Sequence, residues 1–93
     1  MNNDGEIKFN PGQIFCTTNC HNQISGDDMA RGIARHLSGD WGEVCPEDWQ
    51  ENEFSLKEGF RLLSAYTAAN GVKFWIITEW DRSITTVLLP EDY

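Results

Sequence analysis

The dipeptide Asn70-Gly71 constrains this chain more than any other pair of residues. It stands between two runs that read as strands, 60–69 and 72–80. Asn-Gly is a strong short-range hairpin signal, because a two-residue type I′ turn needs positive φ at both central positions. An antiparallel pair of strands is therefore expected there. Asp81-Arg82-Ser83 predicts the next tight turn, and 84–89 the following strand, which Pro90 stops. The last third of the chain reads as a three-stranded meander. In its middle strand Val72, Phe74, Ile76, Thr78 and Trp80 share one face, and Lys73, Trp75, Ile77 and Glu79 share the other.

Upstream of the meander the period changes. Met29, Ile33 and Leu37 recur every fourth residue, with Ala30 and Ala34 beside them, which predicts a helix over 26–37. Ser25 with Asp28 resembles a capping box, Arg35 complements the helix dipole in the last turn, and Ser38-Gly39 ends the helix. Pro46 suits the first position of a second helix, Glu47 and Asp48 suit its first turn, and Gly59 suits its end. Residues 13–18 read as a short strand and 19–25 as a polar turn. Residues 1–12 read as a flexible arm before one domain, 13–93. The expected class is α+β: two helices packed on a mainly antiparallel sheet.

Charge narrows the partners. The formal net charge is -8. This disfavours direct nucleic-acid binding, which needs cations to displace phosphate counterions, and disfavours an anionic membrane. It suits a partner protein with a basic surface. Between Asp40 and Glu58 lie Asp40, Glu43, Glu47, Asp48, Glu51, Glu53 and Glu58, with Lys57 as the single base. Four tryptophans add aromatic anchors, of which Trp49 stands on the acidic helix. The expected partner-binding face is Glu43, Glu47, Asp48, Trp49, Glu51 and Glu53.

The three cysteines are an odd number, and the start of the chain lacks the basic and apolar regions of a signal peptide. No stretch approaches the ~20 apolar residues of a membrane span. A cytoplasmic monomer with reduced thiols is expected, and metal is a better default than disulfide. Cys16 and Cys20 fall within the spacing of zinc ligands. His36 follows Met29 by seven residues and so shares its face, where each ring nitrogen needs a partner or a metal. Cys45 precedes a helix N-terminus, which favours a thiolate. Cys16, Cys20, His36 and Cys45 are therefore expected to hold a structural zinc ion. The alternatives are buried free cysteines with a core histidine, and a Cys45–His36 thiol enzyme.

The segments His36-Leu37-Ser38-Gly39-Asp40-Trp41-Gly42, Leu62-Leu63-Ser64-Ala65-Tyr66, Trp75-Ile76-Ile77-Thr78-Glu79 and 81–93 carry a pattern. It resembles a family of small bacterial proteins found on plasmids, phages and integrated elements. This chain departs from it at Trp80, where alanine is usual, and in carrying Cys16 and Cys20. The acidic, metal-ligating composition also resembles the type II anti-CRISPR proteins, which include a zinc-binding inhibitor of DNA loading. That resemblance implies a non-catalytic inhibitor whose acidic helix covers a basic groove of a CRISPR-Cas effector nuclease. The alternatives are an antirestriction or regulatory binding module and a small metal or thiol enzyme.

Overall fold

Alternation in the last third of the chain sets the architecture seen in the computed structural model, which describes residues 6–93. Strands β2 (Leu62–Thr67), β3 (Lys73–Thr78) and β4 (Ile84–Leu88) form the expected antiparallel meander. The inward face carries Leu62, Ser64 and Tyr66, then Phe74, Ile76 and Thr78, then Thr85 and Val87, all buried. Strand β1 (Gln13–Cys16) joins the far side of β4 in parallel, giving the order β1-β4-β3-β2 and a mixed sheet.

The Asn70-Gly71 hairpin closes differently from expectation. The Ala68 N–H donates to the Val72 carbonyl, and the Gly71 N–H donates back to the Ala68 carbonyl. The loop is therefore Ala69-Asn70-Gly71, and the left-handed φ of 87° is confined to Gly71. This is the three-residue loop with a G1 bulge, for which Asn-Gly serves as well as for the two-residue turn. The Asn70 side chain supports it by accepting from the Val72 N–H and donating to the Gln23 carbonyl.

Three α-helices accompany the sheet among the described residues. Helix α1 (Thr18–Gln23) occupies the segment expected to be a turn, and Thr17 caps it by accepting the Cys20 N–H. Helix α2 (Gly26–Leu37) has the expected bounds, with Ser25 accepting the Asp28 N–H. It lies so close to the sheet that a Cβ on Gly32 would meet the Phe74 ring at 2.8 Å. Helix α3 (Pro46–Glu58) also has the expected bounds, with Pro46 in its first turn and Gly59 at its end. No helix among the described residues is long and apolar enough to cross a membrane.

The core joins Cys20 of α1 and Ile24 just after it to Tyr66, Phe74, Ile76, Val87 and Leu89, with Met29 and Ile33 of α2 packed against it. Of the segment expected to be a flexible arm, residues 1–5 lie outside the described residues, and the remainder is pinned. The Lys8 N–H donates to the Leu37 carbonyl, and Phe9 stacks on Trp41 and meets the edge of His36. The pinning follows from Phe9, an aromatic side chain that finds a ready apolar slot.

Candidate interaction surface

Of the residues expected to bind zinc, His36 and Cys20 are buried, and Cys16 and Cys45 are exposed. His36 is fully buried, and both ring nitrogens are engaged: Nδ1 lies 2.6 Å from Ser64 Oγ and Nε2 lies 2.9 Å from Thr78 Oγ1. The Thr78 hydroxyl meets Thr85 Oγ1 at 2.7 Å, and the Thr85 hydroxyl donates to the Pro11 carbonyl. That last bond orients one side of the network: Thr85 has spent its hydrogen on Pro11, so it accepts from Thr78, and Thr78 then accepts from Nε2–H. Burial, helped by the Arg82 charge, pulls the His36 pKa down to about 3, so the ring is neutral at neutral pH and Nδ1 accepts from Ser64.

A zinc ion would need one of those nitrogens free. Cys20 is buried with its thiol pushed up to about 11, by burial first and then by Cys16 and Asp92, so it holds its proton at neutral pH. Cys16 and Cys45 are exposed. Among the described residues no three His, Cys, Asp or Glu side chains come together as a metal site. The four expected ligands thus do not fit a zinc ion in this arrangement, because His36 is committed to two hydroxyls. The Ser64–His36 contact has the spacing of a nucleophile and its base, but Ser64, His36 and Thr78 are wholly inaccessible to solvent. The pair is a satisfied core network rather than a reaction centre.

The acidic helix has a different character. Its inner side carries the buried polar residues Asn52 and Ser55 beside half-buried Trp49 and Leu56. The Asn52 amide clips onto the β2 edge, donating to the Leu63 carbonyl at 2.7 Å and accepting the Leu63 N–H at 3.1 Å. The loop ahead of α3 continues the clip, because Ala65 donates to the Trp41 carbonyl and accepts from the Glu43 N–H. Gly42 lies between them with φ of 76°, and a Cβ there would sit 2.1 Å from the Ala65 oxygen. Trp41 is buried and donates its indole N–H to Glu53 at 2.8 Å.

Of the expected partner face, then, Glu53 is occupied by Trp41, and Glu43 is bonded to Thr67 and Lys73. Trp49 is half-buried, while Glu47, Asp48 and Glu51 are exposed. The structure adds residues that the charge pattern did not select. Glu47, Glu51, Phe54 and Glu58 follow one another at helical spacing along the exposed side of α3. Phe54 stacks on Phe60 with ring centroids 5.8 Å apart, and both rings are about half exposed, at 53% and 52%. Its position between Glu51 and Glu58 at helical spacing is the sign in the sequence that Phe54 faces outward.

Arg82 joins the Phe60 end of α3 to the turn that carries a third exposed aromatic. Its guanidinium donates to the Ser55 and Phe60 carbonyls and to those of Glu79 and Trp80. One side chain thereby ties the end of α3 to the β3–β4 turn, with Arg82 itself at a left-handed φ of 61°. Trp80, 65% exposed, stands on that turn. Among the described residues no ion pair neutralises Glu47, Asp48, Glu51 or Glu58. The result is one end of the molecule that presents aromatic rings among uncompensated carboxylates.

No protein-family model, curated protein or solved structure matches the chain.

Proposed function

We propose that this chain is a non-catalytic binding protein that docks the α3 end of its fold on a basic surface of another protein. The observation that carries the reading is the exposed stripe Glu47, Glu51, Phe54, Glu58, with Phe60 stacked on Phe54 and Trp80 close by. Large rigid aromatics supply contact area at low entropic cost, and a rim of unpaired acids steers a cationic partner. A basic protein surface wide enough to meet such a stripe is typical of proteins that hold nucleic acid, so the reading extends to obstruction of a nucleic-acid groove. The resemblance described above names a CRISPR-Cas effector nuclease as the partner of that class. Zinc has no part in the proposal.

Order of addition tests the reading. The protein incubated with a type II effector nuclease before DNA should suppress DNA loading, and the same protein added after DNA should suppress it far less. Equal loading with and without the protein would overturn the choice of partner. Equal suppression in both orders would overturn competition for the groove.

A further inference from the structure

The two edges of the sheet are finished differently. The outer rim of β2 is closed by the Asn52 amide and by the main chain of Trp41 and Glu43. The outer rim of β1 has no such cover. Gln13 and Thr17 turn their N–H groups to β4, donating to the Ser83 and Val87 carbonyls. By the alternation of a strand, Ile14 and Cys16 turn theirs away. Among the described residues no side chain caps those groups. Ile14 and Phe15 are 46% and 50% exposed, on opposite faces of the strand.

We propose that β1 pairs antiparallel with β1 of a second copy, about a two-fold axis at Phe15, so that one sheet runs through both molecules. The hydrogen-bonding parity of the strand is self-complementary in this register. Ile14 faces Cys16 of the second copy, and each exchanges N–H and carbonyl with the other; the two-fold repeats the exchange. The Phe15 residues meet at the intervening non-hydrogen-bonded position, where Cα atoms approach to about 4.5 Å.

Charge selects a second copy as the occupant. Gln13-Ile14-Phe15-Cys16 carries no charge in a chain of net charge -8, so two acidic molecules can meet there without opposing carboxylates. Asp92, held by Thr17 and Asn19 beyond the end of β1, is carried to opposite ends of an antiparallel pair. A closed isologous contact of this kind also removes an open strand edge. Because β1 and the α3-capped β2 lie at opposite ends of the sheet, both acidic surfaces stay free. The inference does not depend on the identity of the partner bound there.

Sedimentation of the protein alone from about 1 μM to about 1 mM tests it. The wild type should pass from monomer to dimer within that range. Ile14→Pro removes an N–H that the fold does not use and should stay monomeric with an unchanged melting temperature. Phe15→Lys, which places two cations at the axis, should do the same and stands in if the proline variant fails to fold. Phe15→Cys in a Cys16→Ser, Cys45→Ser background should give a disulfide-linked dimer on mild oxidation, and Phe54→Cys in that background should not. A wild type that stays monomeric at about 1 mM would overturn the proposal. So would a dimer that folded Ile14→Pro and Phe15→Lys leave intact, or equal cross-linking through Phe54→Cys.

Discussion

Helices α2 and α3 are almost equal in length, at 12 and 13 residues, yet they do opposite work on one sheet. α2 presses so closely that Gly32 leaves no room for a side chain, and it delivers His36 to a network of hydroxyls from three strands. α3 meets the sheet at its rim, where the Asn52 amide clips onto β2, and leaves Glu47, Asp48, Glu51, Phe54 and Glu58 exposed. Polar groups that are fully partnered pin a fold, and polar groups left without partners mark a surface free to bind. The comparison separates residues whose loss should unfold the chain from residues whose loss should leave it folded and inert.

The sharpest way to break that contrast is His36→Ala. It leaves a cavity and strips Ser64 and Thr78 of a partner, at a cost of about 3 to 5 kcal/mol. Thermal melting should show a fall of roughly 15 °C or more. Acid should act through the same residue. His36 titrates near 6.5 in the unfolded chain and near 3 in the folded one, so the unfolded state takes up the proton first. Stability is therefore complete above about pH 6.5 and is lost as pH falls toward 3, by about 1.4 kcal/mol per unit. Asp28 and Asp40 are held low by hydrogen bonds, to the Ala69 N–H and to Arg35 respectively, and act in the same direction at lower pH. Urea unfolding across pH should lose its slope between about 6.5 and 4.5 in His36→Gln.

A smaller effect is expected at the rim. Asn52→Ala orphans the Leu63 N–H and carbonyl together and should cost about 2 kcal/mol in chemical denaturation, with the α2 side of the core unaffected. Smallest of all is the stability change on reversing the outer stripe. Glu47→Lys, Glu51→Lys and Glu58→Lys combined should move unfolding by less than about 1 kcal/mol, because none of these acids has an ion-pair partner to lose.

Much of this was legible before the structure. The periodicity and caps of 26–37 and 46–58 gave both long helices their bounds, and alternation gave the meander its faces. The alternation also held an unread clue: Ser64, Thr78 and Thr85 fall on the inward face, so hydroxyls were bound to meet His36 there. A histidine on a buried face needs two partners, and here hydroxyls engage both ring nitrogens. Helix α1 escaped because six residues with one buried side chain carry no apolar period, only a capping Thr17. The pairing of β1 with β4 escaped because strand neighbours so distant in sequence leave no local trace. The Asn52 clip had no signature at all, since an asparagine within a charged helix reads as one more solvated residue.

Binding by the outer face of α3 is the decisive property. Isothermal titration of the effector nuclease with the wild type and with the Glu47→Lys, Glu51→Lys, Glu58→Lys variant, at about 50 and about 300 mM salt, measures this. The predicted result is a wild-type Kd that weakens about tenfold or more with salt, and a variant of unchanged melting temperature whose affinity is lower by about a hundredfold or more. A folded variant that binds as tightly as the wild type, with no salt dependence in either, would contradict it.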